Sequence, residues 1–118
     1  MIFLDTCILI DYSKGKIDIN NTAEYCFSSI VELEFLTGAL NKLELKRLNQ
    51  ILSKFNLIET DQEILDLSTN LVNRYGLSHN MSIYDSIIVS TCIIYEIPLW
   101  SYNKKDFKYI KELELIDE

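Results

Sequence analysis

Apolar residues along this chain fall in short blocks whose spacing changes from one block to the next, and each spacing predicts an element. MIFLD (1–5) is an apolar run closed by an acid, which predicts a buried strand with Asp5 at its carboxyl end. TCILIDYSKG (6–15) predicts a short helix closed by Gly15, and the polar residues 16–24 a loop. YCF (25–27) predicts a second short strand, and SSIVELEFLTGAL (28–40) a helix. LKRLNQILSKF (45–55) sets Leu45, Leu48, Ile51, Leu52 and Phe55 at helical spacing. NLIET (56–60) is a candidate strand. DQEILDLSTNLVNRYG (61–76) carries Ile64, Leu67, Leu71 and Tyr75 on one stripe, with Gly76 as the stop. YDSIIVSTCIIYE (84–96) is apolar all round, which predicts a central helix. IPLWSY (97–102) predicts a strand opening at the single proline, NKKDFKYI (103–110) a loop and turn, and LELID (113–117) a last strand.

Helices alternating with short apolar strands predict an α/β fold with a mainly parallel sheet flanked by helices. The 118 residues fit one domain, residues 1–118, able to remove roughly two-thirds of its unfolded surface from water. With only 3 Gly and 1 Pro, nothing marks a linker or a disordered stretch. Cys7, Cys26 and Cys92 are odd in number and scattered through apolar stretches, which argues against a disulfide framework and for a reduced, cytoplasmic setting. The apolar N-terminus lacks a basic leader and is interrupted by Asp5, so neither a signal peptide nor a membrane span is expected. The net charge of −7 argues against binding nucleic acid through bulk charge.

Four acids stand where the chemistry of a site would want them. Asp5 follows the first strand, Glu34 interrupts an apolar helix, Asp85 begins the central helix, and Asp106 follows PLWSY. In open parallel sheets, sites gather at the carboxyl ends of strands and the adjoining helix starts. Each acid also has an ordinary reading. Asp5 can cap the helix after it, Asp85 can complete a capping box with Ser82, and Asp106 can be a turn or cap residue. Glu34 is costly to bury unpaired, whereas Glu32 is assigned to a solvated edge. Four converging carboxylates repel one another, and a hard divalent cation such as Mg²⁺ or Mn²⁺ relieves that repulsion. His79, the single histidine, reads as a loop or surface residue, and a zinc site of the usual kind cannot be assembled.

MIFLDTCILID resembles the opening strand and helix of PIN-domain ribonucleases, especially VapC-type toxins of bacterial toxin–antitoxin pairs. FSSIVELEFLTGAL resembles their second block, where Ser28 leads by six positions to Glu34 and Gly38 follows four later, a register that selects Glu34 over Glu32. SIYDSIIVSTC resembles the third, with Asp85 as its acid. PLWSYNKKDFKYI resembles the fourth, with Ser101 in place of a commoner Thr, then Asn103, Asp106 and Phe107. Tyr84 stands where the family often has proline.

The resemblance implies a PIN-like fold and a Mg²⁺- or Mn²⁺-dependent endoribonuclease, with Asp5, Glu34, Asp85 and Asp106 as catalytic and metal-binding acids. It implies Thr6, Ser101 and Asn103 as residues that orient the acids or the scissile phosphate. Lys104 and Lys105 are the RNA-contact candidates, in a cluster with Lys108 and Lys111. A second basic cluster, Lys42, Lys46, Arg47 and Lys54, reads as a solvated helix face. The implied partners are an RNA substrate and a small antitoxin, in a homodimer or a higher hetero-oligomer, with no membrane. A basic antitoxin segment could enter the acidic pocket while an apolar one docks along residues 30–55. Two rivals remain: a catalytically degenerate PIN scaffold that only binds protein, and an aspartyl-phosphate phosphohydrolase using Asp5, against which Cys7 stands where a second acid belongs.

Overall fold

The computed structural model describes residues 1–116. Its strands are short, with buried or half-buried residues in all but the edge strand Asn56–Ile58, where Asn56 and Leu57 are exposed. They are β1 (Ile2–Leu4), β2 (Tyr25–Ser28), β3 (Asn56–Ile58) and β4 (Leu99–Trp100). Such strands suit a sheet covered on both faces, where alternation has no solvent side to satisfy. The strands form one sheet in the order β3-β2-β1-β4, every pair parallel. Phe3, Leu4, Cys26, Phe27 and Leu99 carry the sheet's share of the core.

The connections are α1 (Thr6–Ser13), α2 (Ser29–Thr37), α3 (Lys42–Leu52), α4 (Gln62–Tyr75) and α5 (Ile83–Tyr95), with 3-10 turns at Thr22–Glu24 and Lys104–Asp106. The first two crossovers step outward from β1 to β3. The last, through α4 and α5, returns to the other side of β1. The winding direction therefore reverses between β1 and β4, and open α/β sheets place their ligand crevice outside the carboxyl ends of strands at such a reversal.

The predicted central helix is α5, in which every residue from Ser86 to Cys92 is buried. Its polar positions are satisfied internally. Ser68 of α4 donates to the Ile64 carbonyl at 2.9 Å and lies 3.0 Å from the Ser90 hydroxyl, and Ser90 donates to the Ser86 carbonyl at 2.7 Å. Small side chains at this seam let α4 and α5 approach closely while no hydroxyl is orphaned. Ser82 caps the start of α5 by accepting from the Asp85 amide at 3.0 Å, and Glu96 ends it in the left-handed region at φ 53°.

Several boundaries differ from the sequence reading. The helix expected over 28–40 stops at Thr37. The one expected over 45–55 starts three residues earlier, where Asn41 accepts from the Glu44 amide at 2.8 Å, and ends at Leu52. Leu45 faces solvent, while Phe55 is buried beyond the helix end. On α4 the buried stripe is Ile64, Ser68 and Leu71, with Leu67 and Tyr75 half-buried. Gly76 does end α4, but at φ −58°, not in the left-handed region; a Cβ there would lie 2.5 Å from the Val72 carbonyl oxygen, so its job is close approach. Gly15 does take a positive φ, 73°. The strand expected over 97–102 shortens to two residues. The last expected strand reduces to a parallel bridge between Leu99 and Leu115, closed by the Leu99 amide on Glu114 O and the Ile116 amide on Leu99 O, both at 2.8 Å; Asp117 lies outside the described residues. Among the described residues no helix is long and apolar enough to cross a membrane.

Candidate functional site

Asp5 lies at the winding reversal, one residue past β1, and is 3% exposed. Its Oδ1 accepts the Thr6 amide at 2.7 Å, so it caps α1 as an ordinary helix-capping residue does. The same oxygen accepts the Tyr84 hydroxyl at 2.7 Å, and Oδ2 accepts the Ser101 hydroxyl at 2.6 Å. Register explains the last contact. Leu4 pairs with Trp100, so the next residue on each strand, Asp5 and Ser101, emerges side by side. Ser101 in turn accepts the backbone N–H of Asn103 at 3.0 Å. With its hydrogen committed to Asp5, the Tyr84 hydroxyl accepts from Thr6 Oγ1, which makes a relay from Thr6 through Tyr84 to Asp5. Burial and the Asp5 charge hold the Tyr84 phenol far above its ordinary range, so it stays a donor.

Asp85 sits on the first turn of α5, half-buried. Burial, then the charge of Asp106, push its carboxyl up to about 6; hydrogen bonding to Ser82 opposes this, while Asp5 and Glu34 add to it. The fold thus brings Asp5, Glu34 and Asp106 close enough for their charges to act on Asp85. Asp5 is buried, Asp85 half-buried, and Glu34 and Asp106 exposed. Asp106 is not a helix cap: it ends the 3-10 turn, its amide bonded to Asn103 O at 3.0 Å.

The two glutamates of α2 correct the sequence reading of burial. Glu34 is exposed, whereas Glu32, expected at a solvated edge, is half-buried beside Phe27 and Leu52. Glu34 nonetheless faces the acids, for its charge acts on both Tyr84 and Asp85. It lines a cleft of about 480 Å³ with Thr6, Lys14 and Arg47. Arg47, read from sequence as part of a solvated face, donates to the Ser13 carbonyl at 3.0 Å on the wall of this cleft.

Lys105 is exposed and Lys104 half-buried, both on the turn that carries Asp106. Tyr84 is a contact of Asp5 that the sequence reading did not assign; its place directly before Asp85 was the available signal. Cys7 has a structural contact that its spacing does not announce. It accepts the Tyr102 amide at 3.5 Å and touches Ser101 at 3.8 Å, bracing the β4 exit, and burial raises its thiol pKa.

The acids and the hydroxyls that hold Asp5 offer oxygen donors, which suit a hard divalent cation. Asp5 has about four lone-pair sites, and three are already taken by Thr6, Tyr84 and Ser101, leaving room for a single direct bond. Among the described residues no three His, Cys, Asp or Glu side chains stand close enough to hold an ion directly. Mg²⁺ characteristically binds through one or two carboxylates and keeps several waters, so the donor set fits an ion held partly through water.

A short parallel sheet with an acidic crevice at its winding reversal defines a class of small α/β domain built to act on or bind ligands at that edge. The chain belongs to the PIN-domain family, whose profile matches residues 2–113. It is similar to Ribonuclease VapC1 of Methanocaldococcus jannaschii, 33% identical over 116 residues that span 97% of this chain and 84% of that one. Among solved structures it resembles the toxin–antitoxin complex from Klebsiella pneumoniae, at 27% identity and a TM-score of 0.76, covering 96% of this chain and 95% of that one. It also resembles VapBC2 from Rickettsia felis bound to a promoter DNA fragment, at 26% identity and a TM-score of 0.79, covering 100% and 99% of the two chains.

Proposed function

We propose that this chain is a Mg²⁺- or Mn²⁺-dependent endoribonuclease, a single PIN domain over residues 1–118 that acts in the cytoplasm as the toxin of a toxin–antitoxin pair. The ribonuclease reading draws support from the relative that bears that name, and the pairing from structural neighbours that are toxin–antitoxin complexes. The observation that carries the chemistry is the buried Asp5 carboxylate at the end of β1, held by the Thr6 amide and the Tyr84 and Ser101 hydroxyls, with Asp85 next to Tyr84 on the first turn of α5.

Asp5 and Asp85 are the direct ligands in this reading, with the exposed Glu34 and Asp106 acting through water. A divalent ion bound there offsets the like charge of the acids and stabilises charge developing on the phosphodiester. Tyr84, Thr6 and Ser101 fix the Asp5 carboxylate in one orientation, and Asn103 fixes Ser101. Lys104 and Lys105 lie beside Asp106 to contact phosphates of the bound strand. A carboxylate committed to three donors is a poor nucleophile, which weighs against the aspartyl-phosphate alternative.

For the antitoxin, the α2–α3 face offers Leu33, Leu40 and Leu43 at 60%, 86% and 78% exposure, an apolar track for an amphipathic helix beside an acidic pocket for a basic segment. The test is cleavage of labelled unpaired RNA by the purified chain with Mn²⁺ or EDTA, alongside Mn²⁺ calorimetry on wild type, Asp5→Asn and Asp85→Asn. Cleavage in Mn²⁺ alone, with weakened binding in both variants, is expected. Equal Mn²⁺ affinity in all three would overturn the metal site.

A further inference from the structure

Beside the acids lies an aromatic cluster that none of the chemistry above uses. Tyr75 closes α4, His79 sits in the loop to α5, and Tyr109 follows the Asp106 turn. The His79 ring lies on the Tyr109 ring with centroids 4.0 Å apart and planes 13° from parallel. Tyr75 buttresses both, 5.6 Å from His79 and 5.1 Å from Tyr109 at steep angles, with the Arg74 guanidinium 5.0 Å from its own ring. The loop is pinned. The His79 amide donates to Tyr75 O at 2.9 Å, Ser78 Oγ meets His79 Nδ1 at 2.8 Å, and Asn80 turns the chain at φ 53° two residues before the α5 cap, Ser82. Tyr75 and Tyr109 are half-buried, but His79 is exposed. The cluster stands next to the acids along the chain: Tyr109 follows Asp106 by three residues, and His79 precedes by three the Ser82 cap of the helix whose first turn carries Asp85.

We propose that the His79–Tyr109 stack is a platform on which an unpaired RNA base beside the scissile phosphate stacks, an inference that rests on the ribonuclease reading. A chain of net charge −7 repels a polyanion, so beyond the Lys104 and Lys105 contacts its affinity for RNA gains from terms that the net charge does not cancel. Base–aromatic stacking is such a term, and it accepts any base because every base has a π-face. A held, near-parallel stack with an exposed ring meets that need without ordering cost at binding. A basic protein segment would instead be drawn to the carboxylates and would not require a flat ring.

The experiment titrates wild type, His79→Ala and His79→Phe with an unpaired oligoribonucleotide carrying 2-aminopurine in EDTA, and measures kcat and KM for its cleavage in Mn²⁺. Thermal melts check folding, which an exposed position should leave intact. Wild type and His79→Phe are expected to quench the fluorophore. His79→Ala should lose the quenching, bind about tenfold more weakly and show a matching rise in KM at unchanged kcat. Equal quenching and KM in His79→Ala and wild type overturn the platform and leave the nuclease standing. A wild type that cleaves no RNA overturns the nuclease reading and the platform with it. A His79→Ala defect confined to binding a co-expressed antitoxin makes the stack a protein contact and overturns the proposal as well.

Discussion

The Tyr84 hydroxyl donates to Asp5 Oδ1 at 2.7 Å, joining the first turn of α5 to the end of β1 across 79 positions of the chain. Tyr84→Phe removes that donor and strands the Thr6 hydroxyl. Partners one step behind metal ligands typically cost about 10–100-fold in affinity or activity, so RNA cleavage and Mn²⁺ affinity should both fall by that order. The lost buried hydrogen bond should cost about 1–2 kcal/mol of stability in denaturant. A variant that loses stability yet binds Mn²⁺ as wild type does would reduce Tyr84 to a structural strut.

Glu34 and Glu32 lie two residues apart on α2, and only Glu34 acts on Asp85 and Tyr84. Glu34→Gln should lower cleavage by more than about 100-fold, the upper end of what more distant partners contribute in such sites. Glu32→Gln should leave activity near wild type. The reverse pattern in a gel assay would mean that the wrong face of α2 meets the substrate.

Asp85 makes stability without metal depend on pH. With its carboxyl at about 6, the folded chain binds the proton more tightly than the unfolded chain, whose carboxyl titrates near about 3.9. The stability so gained is full below that lower value and is lost as pH rises through about 6. In EDTA, wild type should therefore lose more melting temperature between about pH 4.5 and pH 7.5 than Asp85→Asn does. Mn²⁺ needs the deprotonated carboxylate, so its apparent affinity should weaken as pH falls below about 6. Parallel melting profiles for the two proteins would show that Asp85 is not the group responsible.

Gly76→Ala tests the end of α4. Alanine normally improves a helical position, but here its Cβ would lie 2.5 Å from the Val72 carbonyl oxygen, and backbone cannot swing aside as a flexible side chain would. A loss of about 1–3 kcal/mol in urea unfolding is expected, the usual cost of overpacking. A neutral or stabilising effect would show that the loop from Gly76 to Met81 relaxes freely.

The sequence by itself determined the elements and the kinds of chemistry they bring. Local spacing reports which side of a segment is buried, so the run over residues 84–96, apolar all round, became a helix covered from Ser86 to Cys92, and MIFLD a strand with Phe3 and Leu4 buried. Cap rules placed Asp5 and Ser82 at helix starts, where they stand. Element lengths were less legible, because a two-residue β4 and the single bridge at Leu115 depend on how many neighbours the sheet supplies. Tertiary structure alone decided what meets what. The order β3-β2-β1-β4 sets Asp5 beside Ser101, and the packing of α5 against that edge swings Tyr84 onto the same carboxylate. It also sets His79 on Tyr109 and leaves Glu34, not Glu32, in the open. Periodicity constrains each residue against its own helix or strand. Strand order and register join residues 79 and 96 positions apart, and no local pattern carries that information.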